Sequence, residues 1–121
     1  MRSPRRRGAS LPSRGDVYLI ELDPTRGSEI RKTRPCLVIS PDELNHHLRT
    51  VIVAPMTTAG QAYPFRPMCR FASKEGRVAL DQLRTVDRIR LKKRLGRLAA
   101  GELAAIFAVI TELFEFSDSA F

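Results

Sequence analysis

Short apolar segments alternate with turn residues along most of this chain. The segments are rich in Val, Ile, Leu and Tyr and are only five to nine residues long, which is typical of β-strands. Strands are predicted at residues 15–22, 35–40, 50–56, 63–71, 77–83 and 85–89. Pro64 and Pro67 interrupt the fourth of these, residues 41–44 fit one helical turn, and residues 93–98 fit either a strand or a loop.

The C-terminal segment has a different period. Six large apolar residues recur at the spacing of one helix face, with no interior Pro and no Gly after residue 101: Leu103, Ile106, Phe107, Ile110, Leu113 and Phe114. Many short strands followed by one amphipathic helix predict a mainly β fold with a C-terminal helix (α+β). We expect a small curled barrel, or a strongly bent sheet, that the helix caps.

Two stretches without hydrophobic periodicity divide the chain. Residues 1–13 carry Pro, Gly, Ser and arginines, and we expect a flexible basic tail. Residues 23–33 form a polar connection that is long for a small β domain, and long connections are often functional. The length of 121 residues suits a single domain, here expected at 14–116, with 117–121 as a C-terminal end.

Composition narrows the class of protein. The longest apolar run, residues 103–110, is too short for a transmembrane helix, and the N-terminal region has no continuous apolar stretch for a secretory signal. Cys36 and Cys69 are too few for a disulfide scaffold and fall in apolar or mixed segments. We therefore expect a cytoplasmic protein with reduced, buried thiols and no membrane partner.

The net charge of +8 is concentrated in two segments. Residues 1–14 carry +5 and residues 84–97 carry +6, mostly as arginine, whose planar guanidinium suits phosphate. One basic cluster alone is more often a solubilising surface. Two clusters on a small domain favour a polyanionic partner.

No motif for a metal or a cofactor is present. His46 and His47 are adjacent, so they diverge on a helix or strand, and CxxC, HExxH, GxGxxG and P-loop spacings are missing. The remaining chemistry lies in polar residues at predicted strand ends and in the long loop: Glu29, Arg34, Thr57, Thr58, Asp81 and Gln82. Taken singly, each also fits a surface ion pair or a turn.

Several of these residues stand in recognisable motifs. The motifs are RGDVY at 14–18, DPTRGSE at 23–29, RPCLVIS at 34–40, VAPMTT at 53–58, YPF at 63–65 and VALDQLRTVD at 78–87. In this order, followed by the helix, they resemble the MazF/PemK toxin family over about residues 14–116. The resemblance implies an SH3-like barrel of the MazF/PemK/CcdB type. It also implies a homodimer and a metal-independent endoribonuclease from a type II toxin–antitoxin pair, which cuts single-stranded mRNA at short sequences.

The resemblance also assigns residues. The family's catalytic arginine falls on Arg34, its threonine on Thr57 and its loop glutamate on Glu29. Asp81 and Gln82 match residues near the bound bases, and we place Thr58 and Arg84 with them as substrate-binding residues. An acidic cognate antitoxin is expected to cover the same groove, with the basic residues from Arg84 to Arg97 contributing to its binding.

The expected chemistry suits these residue types. RNA carries its own nucleophile, the 2′-OH, so the protein needs only to activate it, stabilise charge on the phosphate and protonate the leaving 5′-oxygen. Arg34 suits charge stabilisation and is a poor base because its pKa exceeds about 12. Thr57 suits a hydrogen bond to a phosphate oxygen, and Glu29 is the sequence's candidate for the general base.

Two other functions remain open at the level of sequence. A non-catalytic, gyrase-binding toxin of the CcdB type uses a similar barrel and needs no Arg34–Thr57 pair. A plain nucleic-acid-binding module would use the basic clusters, although the chain has no tryptophan for a stacking platform. An RNA-cleavage assay separates both from a nuclease.

Overall fold

The structure, a computed structural model, describes residues 11–58 and 62–117. Most of the expected tail, residues 1–10, lies outside this range. The strands are β1 (Asp16–Glu21), β2 (Thr33–Val38), β3 (Thr50–Thr57), β4 (Met68–Phe71), β5 (Lys74–Val78), β6 (Arg84–Asp87) and β7 (Leu91–Arg97). The helices are α1 (Asp42–His47), α2 (Ala100–Leu113) and 3-10 helices at Leu80–Gln82 and Arg88–Arg90.

Seven strands of the described chain form one antiparallel sheet. Its hydrogen-bonded path runs β4-β5-β3-β2-β1-β7, and β6 pairs with the first half of β3. β3 is therefore central: it pairs with β2 along one side, and with β6 and then β5 along the other. The predicted mainly β fold with a C-terminal helix is confirmed.

The two end strands of this path approach each other through side chains. Phe71 on β4 lies so close to Gly96 on β7 that a Cβ at Gly96 would stand 3.1 Å from the ring. Gly96 also has φ of +152°, a conformation that favours glycine. The sheet thus curls until its ends touch, which gives it the barrel-like form expected from the short strands.

Apolar side chains fill both faces of the curled sheet, because successive residues of a strand point to opposite faces. On β2, Leu37 belongs to the cluster beneath α2, whereas Cys36 and Val38 belong to the cluster on the other face. Helix α2 buries Ile106 completely and packs much of its apolar face on the first cluster. Phe114, which the periodicity places on the same face, is 68% exposed because the helix ends at Leu113.

The middle of the chain differs from the sequence prediction. The strand expected at 63–71 begins only at Met68, because Pro64 and Pro67 cannot donate to a sheet ladder. The strand expected at 77–83 ends at Val78, and the next residues turn in a 3-10 helix. The ambiguous segment 93–98 lies in β7 up to Arg97.

Two further expectations concern the thiols and the membrane. Cys36 and Cys69 are both free and buried, as predicted. Within the described ranges, no helix is both long and apolar enough to cross a membrane.

Candidate active site

Thr57 lies at the end of β3 between two arginines on the neighbouring strands. The β2–β3 register pairs Cys36 with Pro55, and continuing it by two residues sets Arg34 opposite Thr57. On the other side, the β3–β5 register pairs Thr57 with Arg77. Directly opposed residues of an antiparallel pair project to the same face, so the side chains of Arg34 and Arg77 leave the sheet on the same face as the Thr57 hydroxyl.

A cleft of about 330 Å³ opens at these strand ends. Arg34, Thr57 and Thr58 all line it, so the structure brings together three residues that the sequence analysis singled out. The other lining side chains are mostly apolar and come from the strands that curl together, with charged groups on the β4–β5 hairpin: Pro35, Met56, Cys69, Phe71, Leu95, Lys74 and Glu75. The cleft can therefore hold an anion beside a flat apolar group.

Arg34 is half-buried and held by its own strand entry. Its Nε donates to the carbonyl oxygen of Arg31 at 3.0 Å, which orients the guanidinium. Burial raises the pKa of the Cys36 thiol to about 12, although the positive charges of Arg84 and Arg34 lower it. Both cations thus act on the same buried thiol. Arg84, which is half-buried, donates through Nη1 to the carbonyl oxygen of Leu22 at 3.2 Å.

Glu29 does not line the cleft. It is exposed in the loop between β1 and β2, where its carboxylate accepts a hydrogen bond of 2.7 Å from the backbone N–H of Arg26. The same loop is tied to the 3-10 helix, because the backbone N–H of Ile30 donates to Oε1 of Gln82 at 2.7 Å. Gln82 therefore holds the loop that carries Glu29.

Asp81 stands beside Gln82 and forms a two-pronged ion pair. Arg66 donates to its carboxylate through Nε at 2.8 Å and through Nη2 at 2.9 Å. The hydrogen bonds from Arg66 hold the pKa of the Asp81 carboxyl below its usual value, so this carboxylate is ionised at neutral pH. The 3-10 helix is anchored near Thr57, since the backbone N–H of Ala79 donates to the carbonyl oxygen of Pro55 at 2.8 Å.

The basic segment 84–97 is largely paired with β1. Arg94 and Arg97 both approach the buried carboxylate of Asp16, at 3.2 and 3.3 Å. Arg90 donates to the carbonyl oxygens of Glu21 and Asp23, and Lys92 lies 3.9 Å from the Glu21 carboxylate. Across residues 11–58 and 62–117, no three His, Cys, Asp or Glu side chains cluster in a way that could hold a metal ion.

Sequence reasoning missed Arg77 and the charged residues of the β4–β5 hairpin. Arg77 stands opposite Thr57 on a strand that starts at Lys74, whereas the sequence predicts a strand only from residue 77. Close packing of this hairpin needs Gly76, because a Cβ there would stand 3.2 Å from the carbonyl oxygen of Thr57. The one sign of this hairpin in the sequence is Gly76, a small residue two positions before the apolar residues that begin at Val78.

The comparisons with known proteins identify a family. The family model for PemK-like, MazF-like toxins of type II toxin–antitoxin systems matches residues 13–114. The endoribonuclease toxin MazF of Escherichia coli (strain K12) is 33% identical over 104 residues, which cover 85% of this chain and 94% of that protein. Endoribonuclease PemK of Escherichia coli is 37% identical over 94 residues, 70% of this chain and 68% of that protein.

Solved structures give the same result. The crystal structure of MazF from Deinococcus radiodurans superposes with a TM-score of 0.76 at 27% identity and covers 86% of this chain and 96% of that one. A MazE–MazF crystal structure (Form-III) from the same organism has a TM-score of 0.73, also at 27% identity, and covers 89% and 100%. A family model that spans nearly the whole described chain, with full-length relatives above 30% identity, establishes the family. This chain belongs to the PemK-like, MazF-like toxins of type II toxin–antitoxin systems.

Proposed function

We propose that this toxin is an endoribonuclease that cleaves single-stranded RNA, including mRNA, at short sequences without a metal ion. The observation that carries the proposal is that Arg34 and Thr57 line one cleft, with Arg77, which does not line it, opposite Thr57 on β5. This arrangement offers hydrogen-bond donors and positive charge for a phosphate but no strong nucleophile. RNA supplies the nucleophile itself, and relatives over 30% identical are named endoribonucleases.

In the proposed reaction, the 2′-oxygen attacks the adjacent phosphorus and the bond from phosphorus to the 5′-oxygen breaks. The 2′-OH proton passes to a base, and the leaving 5′-oxygen takes a proton, which gives a 2′,3′-cyclic phosphate and a 5′-OH. Arg34 and Arg77 stabilise the charge that develops on the non-bridging oxygens, and Thr57 donates a hydrogen bond to one of them. Thr58, Arg84, Asp81 and Gln82 contact the flanking nucleotides.

Glu29 is the proposed general base. Its carboxylate is bound to the backbone of Arg26, so the loop must move to bring Glu29 over the cleft. The turn that holds Glu29 is exposed, so exchanging the hydrogen bond with Arg26 for a contact with the substrate costs little free energy. Glu29→Gln tests the assignment, because an unchanged kcat removes Glu29 from the mechanism and leaves Glu75, a carboxylate that lines the cleft, as the next candidate.

We further propose that the toxin acts as a homodimer in the cytoplasm and is inhibited by an acidic antitoxin segment. Support for such a partner comes from the MazE–MazF structures of Deinococcus radiodurans. An acidic segment would place carboxylates where phosphates otherwise bind, so inhibition should compete with RNA and weaken as salt rises.

The test is cleavage of a long single-stranded RNA in excess chelator, with end-mapping of the products. We expect defined cut sites with 5′-OH ends, and no cleavage of an oligonucleotide whose scissile 2′-OH is replaced by hydrogen. A strict need for a divalent metal would overturn the mechanism. RNA that binds but stays intact would support a binding module, and gyrase inhibition without RNA cleavage would support the CcdB-type alternative, which the comparisons do not favour.

A further inference from the structure

Asp81 is paired with Arg66, a residue that has no role in the proposed reaction and that does not line the cleft. Arg66 donates two hydrogen bonds of nearly equal length, 2.8 and 2.9 Å, to the two carboxylate oxygens of Asp81, as in a fork-to-fork guanidinium–carboxylate pair. The Arg66 side chain is only 18% exposed, whereas that of Asp81 is 45% exposed. The arginine is therefore a support, and the carboxylate is the part that a ligand can reach.

Arg66 is itself restrained from several directions. Its guanidinium lies over the ring of Tyr63, 5.6 Å from the ring centre, and its backbone N–H donates to the carbonyl oxygen of Tyr63 at 3.0 Å. Its carbonyl oxygen accepts a hydrogen bond of 3.0 Å from Nη1 of Arg77, the residue opposite Thr57. A short network thus connects the proposed phosphate site with Asp81.

The geometry limits what Asp81 can do. The hydrogen bonds with Arg66 keep the carboxylate ionised, so it only accepts hydrogen bonds. Each carboxylate oxygen has a second lone pair, so both remain able to accept from a ligand while Arg66 holds them in place. Arg66 thus contacts both an oriented, partly exposed acceptor and an exposed tyrosine ring. Such a pair matches the requirements of an unpaired base, which offers one polar edge and two flat faces.

We propose that Arg66 is a positioning residue that fixes Asp81 to accept a hydrogen bond from the exocyclic amino group of one unpaired base in the cleavage sequence. The proposal rests on the proposed function, because it concerns how the same RNA is selected. Uracil has no amino group, so the position that Asp81 contacts should disfavour uracil. Arg66 does not touch the base: without it the carboxylate can rotate, and discrimination should fall while the phosphate chemistry continues.

The experiment compares two oligonucleotides that differ by one amino group. End-mapping with the wild-type toxin first identifies the cut sequence, and the amino-bearing base is then replaced by its analogue without the amino group, for example guanosine by inosine. For the wild type, we expect kcat/KM to fall by about tenfold or more on this replacement, since one hydrogen bond to a charged acceptor is lost. For Arg66→Met, we expect the two substrates to be cleaved with nearly equal kcat/KM.

Matched variants separate positioning from a general structural effect. Arg70→Met removes an arginine of the same charge from an exposed pair with Glu75 on the adjacent hairpin, and it should leave the substrate ratio unchanged. Arg66→Lys keeps the charge but not the fork, and it should restore only part of the ratio. Asp81→Asn should lower the ratio, and adding Arg66→Met to it should lower the ratio no further.

Each outcome decides a separate point. If Arg66→Met keeps the wild-type ratio, the inference is wrong although the nuclease proposal stands. If Arg66→Met does not fold, as shown by circular dichroism, the ratio for Arg66→Lys decides: a wild-type ratio overturns the inference, and a reduced one supports it. If the wild-type toxin cleaves no RNA, the proposed function itself fails.

Discussion

At the scale of single residues, the proposed phosphate site depends on the neighbours of Thr57. Arg34 and Arg77 stand opposite it on different strands, so two separate backbones position the two arginines. Each is oriented by a backbone carbonyl oxygen, Arg34 by that of Arg31 and Arg77 by that of Arg66. Oriented donors of this kind stabilise developing charge because they need little reorganisation during the reaction.

Replacing either arginine should therefore lower kcat while the fold is kept. We expect Arg34→Ala to reduce cleavage by about 10²–10³-fold and Arg34→Lys to recover little, because lysine lacks the fork. Arg77→Gln keeps a donor for the Arg66 carbonyl oxygen but removes the charge, and we expect a loss of about tenfold or more. The rate constant of single-turnover cleavage measures both losses. Arg70→Gln is the control, and its rate constant should stay within about twofold of the wild-type value. Normal rates in Arg77→Gln would remove it from the phosphate site.

The buried thiol beneath the site gives a pH dependence whose sign can be worked out. Burial raises the pKa of Cys36 from 9.0 to about 12, so above pH 9 the unfolded chain loses this proton while the folded chain keeps it. The contribution to stability is fully present below pH 9 and is lost as the pH rises toward 12, by at most about 1.4 kcal/mol per pH unit. Urea unfolding of the wild type and Cys36→Ala should show a difference in unfolding free energy that shrinks between pH 8.5 and 10.5. Cys69 titrates in both proteins and cancels, so a constant difference would contradict the shift.

At the scale of elements, the apolar segments were predictable and the β4–β5 hairpin, which lines the cleft, was not. β1, β2 and β3 have continuous apolar residues, whereas β5 reads Lys-Glu-Gly-Arg-Val and has little apolar pattern. The β4–β5 turn places Ala72 and Ser73 at φ of +52° and +64°, a turn usually marked by Asn-Gly. Without that marker, the hairpin and therefore the position of Arg77 could not be predicted. The positions of Arg34 and Thr57 could be predicted, because their motifs resemble those of a known family.

The middle of the loop between β1 and β2 is tied to the 3-10 helix by the side chain of Gln82. The Ile30 N–H is partly buried and bonded to Gln82, and leaving such a donor unpaired costs about 1–3 kcal/mol. Gln82→Leu should therefore let the loop open, and exchange of the Ile30 amide hydrogen should accelerate by about tenfold or more. Gln82→Glu keeps an acceptor and is the control. The Leu22 amide, which bonds the Lys32 carbonyl oxygen, should exchange at the same rate in both variants. Unchanged exchange at Ile30 would show that other contacts hold the loop.

At the scale of the whole molecule, much of the positive charge also has a structural role. Arg94 and Arg97 neutralise the buried Asp16, and Arg90 and Lys92 bond to the end of β1. The number of basic residues in the sequence could not distinguish these structural cations from ones that attract RNA, because the pairing of side chains across β1 and β7 depends on the strand register. That the segment 84–97 also binds RNA or antitoxin stays a prediction. Charge reversal at Arg94 or Arg97 should cost stability, because it leaves Asp16 buried without its full charge partner.

The N-terminal arginines allow a cleaner test of long-range attraction. Pro12 is buried and the backbone N–H of Ser13 donates to Asp16, so a truncation that preserves the described contacts should remove only residues 1–10. This deletion removes four arginines, at positions 2, 5, 6 and 7. If they contact phosphates, the slope of log affinity against log salt should become shallower by up to about 3, since each phosphate contact on a single strand contributes about 0.7. Cut sites should not change, because phosphate contacts carry no sequence information.

A full-length variant with glutamine at the four positions separates the effect of charge from the effect of chain length, and it should behave like the truncation. An altered cut sequence would mean that these residues contact bases, and an unchanged salt slope would mean that they do not contact the RNA.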